Sequence, residues 1–284
     1  MKTKKIGIIG HGFVGKATDA GFCNDVEKFI VDPKYDTSIE DLQSFDPEYV
    51  FVCVPTPMGD EGEQDSKIIE SVIKDLSIFC PNVLICIKST VLPSILNNLS
   101  KINARIIYNP EFLREKYANE DFINSEMIIL GGNKQIAIKF SKLYLNHSLC
   151  KTKNHFFMTL SSASLVKYSI NTFLATKVIY FNELYKIFEK LNTGESWKTL
   201  TEAISQDSRI GNSHMDVPGH DGRLGFGGAC FPKDSAALIK YAKNIEQELS
   251  VLNSAVKKNN SIRRSYSDLD KREKDQNVSF DDTF

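Results

Sequence analysis

The chain has 284 residues, 42% of them hydrophobic and 25% charged, and a formal net charge of −1. That length accommodates two domains, and the near-neutral balance gives no electrostatic footprint for nucleic acid or an anionic membrane surface. No apolar run approaches the roughly twenty residues of a membrane-spanning helix, and the basic start runs into a short strand-like segment and a glycine motif, not into a signal-peptide core.

Residues 5–9 are β-rich and end in Gly10-His11-Gly12-Phe13-Val14-Gly15, ahead of a helix-compatible stretch. In this spacing Gly10 makes the tight turn, Gly12 admits a pyrophosphate, and Gly15 lets the helix pack on the strand. The helix N-terminus then meets the phosphates, with Phe13 and Val14 in the same turn. A second strand at 28–32 ends in Asp32, 22 residues past Gly10. A carboxylate there accepts both ribose hydroxyls and repels a 2′-phosphate, favouring NAD over NADP; Lys34 weakens that preference. Further strands are expected at 49–54, 83–88, 105–108 and 127–130, with helices near 66–79 and 92–101. Such alternation implies a parallel sheet that binds ligands at the carboxyl ends of its strands. That places Val54, Thr56, Pro57, Ser89, Thr90 and Glu111 around one crevice, unless they are plain loop residues. Asn109-Pro110 predicts a helix start. Glu111 and Glu115 would then share a helical face, as a functional pair or as solvated acids.

Residues 160–191 lack Pro and Gly and read as one long helix or two abutting ones. Lys167 and Asn171 stand four apart and project together, as donors to a developing oxyanion or as a snorkelling lysine and a surface amide. Thr193-Gly194 ends this stretch, and a helix near 196–205 leads into Asp207-Ser208-Arg209-Ile210-Gly211. The densest motif follows, Gly225-Phe226-Gly227-Gly228-Ala229-Cys230-Phe231-Pro232-Lys233-Asp234. Pro232 suits a first helical turn, and Leu238, Ala242, Ile245, Leu249, Leu252 and Val256 continue at helical spacing. Cys230 thus precedes a helix N-terminus and lies three residues from Lys233, two influences that favour a thiolate; the alternative is a buried thiol packing as a small hydrophobe. Composition turns polar beyond about 257, so 261–284 is expected to be a mobile tail. The six cysteines are scattered with no CxxC pair, which fits reduced thiols in the cytoplasm, and the five histidines show no metal-ligand spacing.

Taken in order across roughly 5–245, the segments GHGFVG, VPTP (54–57), KSTV (88–91), NPEFLRE (109–115), LVKYSINTFLATKVIYFNE (165–183), DSRIG (207–211) and GFGGACFPKD (225–234) resemble the UDP-glucose/GDP-mannose dehydrogenase family. The fold expected is α/β: a Rossmann-type parallel-sheet domain over 1–158, then an all-α central and dimerisation domain over 159–260. The resemblance implies an NAD-dependent, four-electron oxidation of a sugar C6 alcohol to a carboxylate. The substrate would be a nucleotide sugar: UDP-glucose, or GDP-mannose or a UDP-HexNAc. By the same resemblance Cys230 captures the intermediate aldehyde as a thiohemiacetal that becomes a thioester. Lys167 and Asn171 stabilise the oxyanion, Asp234 with Lys167 manages a water, Glu111 is the base for hydrolysis, and Thr90 helps hold the water. Glu115 touches sugar and cofactor, Lys233 joins the cofactor set, and Phe112, Leu113, Arg114, Phe226 and Gly227 line the sugar. Arg209 reaches a sugar nucleotide, in the family often across a subunit boundary. A homodimer through the helix after Cys230 is expected, with no metal, nucleic-acid or membrane partner.

Two departures from the family pattern stand out. Ser164 occupies a position where many relatives carry an acid, and residues 246–284 are too few and too polar to encode the second α/β domain with which relatives usually continue. Two other readings therefore stay open: an NAD-binding relative that needs a partner for activity, and a two-electron dehydrogenase of another alcohol.

Overall fold

The computed structural model describes residues 3–281, so Met1, Lys2 and the last three residues of the expected tail lie outside it. The chain divides into two units, Met1–Thr56 with Asp65–Lys167, and Pro57–Gln64 with Tyr168–Phe284. This division falls within a helix, after Lys167, and groups a short segment after Thr56 with the second unit.

In the first unit β1 (Lys4–Ile9), β2 (Val26–Val31), β3 (Tyr49–Val52), β4 (Leu84–Ile87), β5 (Ile106–Tyr108), β6 (Ile128–Gly132) and β7 (His155–Met158) form one sheet in the order β2-β1-β3-β4-β5-β6-β7. The first five strands pair in parallel. β6 runs antiparallel to β5 and parallel to β7, so the sheet is mixed where an all-parallel one was expected. Strand residues alternate between two cores, as the period of two requires. Val50, Val52, Ile85 and Ile87 enter one core, while Tyr49, Phe51, Leu84 and Cys86 enter the other.

The helices of this unit are α1 (Phe13–Gly21), α2 (Ile39–Phe45), α3 (Lys67–Phe79), α4 (Pro93–Ile102), α5 (Ala118–Ile123) and α6 (Lys134–His147). Their starts carry the expected chemistry: a Ser38/Asp41 capping box on α2, Pro93 at the head of α4, and the Asn133 side chain on the amides of Gln135 and Ile136 at α6. Residues 109–114 form no helix. Asn109 is instead a buried hub: its Oδ1 accepts from Lys88 Nζ at 2.9 Å and Tyr144 OH at 2.7 Å, and its amide donates to the Ile129 carbonyl at 2.8 Å. These tertiary partners satisfy the side chain better than a cap would, so Glu111 and Glu115 share no helical face.

α7 (Leu160–Leu191) is one continuous helix of 32 residues, with Lys167 in the first unit and Asn171, one turn on, in the second. α8 (Trp197–Ser205), α9 (Phe231–Asn244), α10 (Ser250–Arg263) and α11 (Lys271–Asp275) complete the second unit. Phe181, Met215 and Val217 pack there against Leu184, Tyr185 and Trp197. The single helix expected from Pro232 to Val256 is broken. Glu246 adopts a left-handed φ of 58°, and the Gln247 amide returns to the Ala242 carbonyl at 2.9 Å, a helix-ending turn. Leu238, Ala242, Leu252 and Val256 are buried within this chain. Most of the stripe assigned to a dimer contact is therefore already covered.

The expected mobile tail is also corrected. Arg263 is 3% exposed and Glu273 fully buried, with Val278 and Phe280 buried nearby. No helix among the described residues is long and apolar enough to cross a membrane.

Candidate active site

At the β1–α1 junction the Gly10 amide donates to the Val31 carbonyl at 2.8 Å, and the Cys53 amide to Ile9 at 2.7 Å. Gly10 has φ +86°, and a Cβ there would lie 2.8 Å from the Cys53 carbonyl oxygen; a Cβ on Gly15 would strike the Gly10 carbonyl. Gly12 caps α1, and a Cβ there would meet nothing within 4 Å. That open side of the helix start is a cradle of the kind a pyrophosphate needs. Phe13 and Val14, half-buried, form its first turn.

Asp32 closes the other end of this junction. Its Oδ2 accepts from the His11 amide at 2.6 Å and its Oδ1 from the Lys34 amide at 3.0 Å. Burial alone would raise its pKa, but these two amides and the Lys34 charge outweigh it and hold the carboxyl below the usual carboxylate range. The acid is thus fixed and ionised, with lone pairs left for ribose hydroxyls. His11 Nδ1 meets Tyr35 OH at 2.8 Å, an additional tie on the loop that the glycine spacing did not reveal.

The ends of β3 and β4 meet as expected. Thr56 Oγ1 donates to the Thr90 carbonyl at 2.9 Å, and Ser89 Oγ to the Val54 carbonyl at 2.6 Å. Pro57, which directly follows Thr56, begins the segment grouped with the second unit. Lys167 Nζ donates to the Glu111 carbonyl oxygen at 2.6 Å and to its Oε1 at 3.1 Å, and the other carboxylate oxygen accepts from the Leu113 amide at 2.6 Å. The Lys167 ammonium also stands 5.1 Å from the centroid of the Phe112 ring. Both charges are buried, a costly arrangement held by hydrogen bonds on each partner. Ser164, fully buried, donates to the Val91 carbonyl at 2.6 Å, a structural contact. Arg114, by contrast, is largely exposed and spans Asp121 with two side-chain bonds; Glu115 is exposed in a 3-10 turn, Glu115–Tyr117.

In the second unit Cys230 is the N-cap of α9, half-buried, with its carbonyl accepting the Asp234 amide at 2.9 Å. Asp234 is 1% exposed. Its two oxygens accept from Asn171 Nδ2 at 2.7 Å and Lys233 Nζ at 2.6 Å. The structure thus brings Asn171, Lys233 and Asp234 together at the first turn of the helix that Cys230 caps. Phe226 is buried, its amide donating to Asn259 Oδ1 at 2.6 Å and its carbonyl accepting from Asn259 Nδ2 at 3.0 Å. Arg209 is exposed and bound to Asp207 by two side-chain bonds. It contributes to no cluster with the other candidates.

The sequence reading missed Asn259, Arg263 and Glu273, which underlie the glycine loop before Cys230. Only Asp270-x-x-Glu273 carried a local signal, as a capping-box spacing. Burial raises the Cys53 thiol to about 12 and drives Cys86 up as well, so both are inert core thiols. No cluster of three or more metal-ligating side chains occurs among the described residues.

A glycine cradle at a strand–helix junction and an ionised acid at the end of the next strand fit a dinucleotide-binding domain. Residues 34–147 match the NAD binding domain of the UDP-glucose/GDP-mannose dehydrogenase family, and residues 161–261 its central domain. The chain belongs to this family, and NAD is the cofactor its first domain indicates. UDP-glucose 6-dehydrogenase of Rickettsia prowazekii is 35% identical over 219 residues, covering 74% of this chain and 48% of that protein. The chain therefore spans about half the length of the curated relatives it matches. A UDP-glucose dehydrogenase from Pyrobaculum islandicum superposes with a TM-score of 0.79 at 24% identity, over 92% of this chain and 69% of the other. GDP-mannose dehydrogenase from Pseudomonas aeruginosa gives a TM-score of 0.62 at 23% identity, over 91% and 69%. These two likenesses show the fold.

Proposed function

We propose that this protein oxidises the C6 alcohol of UDP-glucose to the carboxylate of UDP-glucuronate. The observation that carries the reading is Cys230 at the N-cap of α9, followed in the first turn by Asp234 held between Asn171 and Lys233. An alcohol-to-aldehyde dehydrogenase has no use for a nucleophilic thiol; an alcohol-to-acid dehydrogenase does. Bound NAD, held by Gly10, Gly12, Gly15 and Asp32, supplies the hydride acceptor.

The first C6 hydride and the hydroxyl proton leave to give the aldehyde; Cys230 Sγ then adds to its carbon, forming a C–S bond as the C=O π bond opens, and the oxygen carries negative charge. Lys167 and Asn171, one turn apart on α7, donate to that oxygen. Loss of the second C6 hydride leaves a thioester. Water then breaks the C–S bond, with Glu111 taking its proton, and returns the thiol and the carboxylate. The balance is one water consumed and two NAD reduced per carboxylate formed. Thr90 and Asp234 hold the water, and Lys233, Glu115 and Phe226 complete the ligand contacts. A reducing, cytoplasmic setting keeps the thiol usable. Phe173, Tyr180 and Ile187, exposed on α7, offer a second copy a contact in place of the helix after Cys230.

The test is stoichiometric: purified protein with NAD and UDP-glucose should form two NADH per sugar consumed, with UDP-glucuronate as product. Cys230→Ser should stop at the aldehyde stage, at least a hundredfold down in acid formation on the order set by removing a nucleophile. One NADH per sugar with an aldehyde product, unchanged by Cys230→Ser, would sink the reading. GDP-mannose and UDP-N-acetylhexosamines assayed alongside decide the nucleotide sugar.

A further inference from the structure

The loop Gly225–Cys230 rests on Asn182 of α7 and on side chains of α10 and the residues after it, all within the second unit. The Gly225 amide donates to Asn182 Oδ1 at 2.9 Å, and Asn259 holds both backbone groups of Phe226. The Gly228 amide donates to Glu273 Oε1 at 3.1 Å. That oxygen also accepts from Arg263 Nη2 at 2.8 Å, while Oε2 accepts from the Asp270 amide at 2.8 Å. Arg263 Nη1 donates to Asp221 Oδ2 at 2.7 Å, and the guanidinium lies 5.5 Å from the Phe280 ring centroid. Upstream, the Leu224 amide donates to Tyr266 OH at 2.8 Å and Arg223 to the Asp268 carbonyl at 2.8 Å. A Cβ on Gly227 would run into Arg263 Nη2 and Glu273 Oε1, so the backbone at Gly227 lies directly against the ion pair.

This geometry is expensive for a terminal segment. Glu273 is fully buried, and a buried ion pair gives little net stability compared with an apolar isostere. What it supplies is a fixed acceptor for one amide, two residues before the candidate nucleophile. We infer that residues 264–281 are a brace for the cysteine loop, and that Glu273 is a positioning residue that holds Cys230 at the α9 N-cap by fixing the Gly228 amide. The inference rests on Cys230 being the nucleophile of the proposed reaction. A loosened loop lets the thiol drift from the N-terminal end of α9, whose dipole favours a thiolate.

The readout is the rate of Cys230 alkylation by iodoacetamide against pH, followed by peptide mass spectrometry in the full chain without substrate. Glu273→Ala should slow alkylation near neutral pH by about fivefold, the scale of a helix N-terminus effect, and move its midpoint to higher pH. Glu273→Gln retains an oxygen for the Gly228 amide and should stay within about twofold of the parent. If Glu273→Ala does not fold, Gly227→Ala perturbs the same contact from the loop side and should give the same upward shift. Alkylation profiles unchanged in Glu273→Ala, or in Gly227→Ala where the former is unfolded, overturn the brace. So does equal slowing in the Ala and Gln variants, which would assign the effect to the ion pair. Failure of the underlying reaction shows separately, as a Cys230→Ser protein that still forms two NADH per sugar.

Discussion

Gly10 and Gly12 lie two residues apart and are glycines for different reasons, which makes them separable. Gly10 is held at φ +86° with a carbonyl 2.8 Å from where a Cβ would sit. Gly10→Ala should therefore cost about 1–3 kcal/mol of stability, read by urea denaturation. Gly12 has φ −72° and open space beside it. Gly12→Ala should change stability by less than about 1 kcal/mol, yet weaken NAD at least about tenfold, because its methyl occupies the pyrophosphate approach. NAD titration of a Gly12→Ala protein that binds like the parent would show that the cradle lies elsewhere. These two roles were legible in the sequence because a tight turn and a helix start are local. The partners of Asn109 were not, since Lys88 and Tyr144 lie 21 and 35 residues away. Asn-Pro reads locally as a cap, and long-range hydrogen bonds override it.

At the level of elements, legibility followed the same rule. The run without Gly or Pro at 160–191 is α7 from end to end. The break between α9 and α10 left no trace, because the apolar spacing continues across it and the left-handed residue is Glu246, not a glycine. β7 (His155–Met158) is too short and too exposed to show a period. The final segment misled most, since a polar composition hid the few residues that anchor it. Phe280 is 7% exposed and its ring faces Arg263. Phe280→Ala should cost about 3 kcal/mol in the denaturation of the second unit. A mobile tail would give no change, so a null result in that measurement would restore the sequence reading.

At the scale of the whole molecule, the exposed apolar residues fall into a pattern on α7. Phe173, Tyr180 and Ile187 recur every seven residues, with Leu191 one turn further on, and they are 67%, 61%, 58% and 65% exposed. Isolated exposed apolar side chains need no explanation, but a seven-residue repeat on one long helix has the spacing of a helix–helix seam. The helix after Cys230 offers no such seam, since Leu238 and Ala242 are spent inside the unit. A second copy of the chain presenting the same stripe is the self-complementary partner that two-fold symmetry favours. Sedimentation equilibrium at micromolar concentration should therefore give a dimer, and Phe173→Glu with Ile187→Glu should give a monomer. Because both side chains already face solvent in the single chain, the double variant should still unfold cooperatively, with a midpoint that no longer depends on protein concentration. A parent protein that sediments as a monomer at 100 times that concentration, on the order of hundreds of micromolar where weak interfaces form, would leave the stripe without the partner assigned to it.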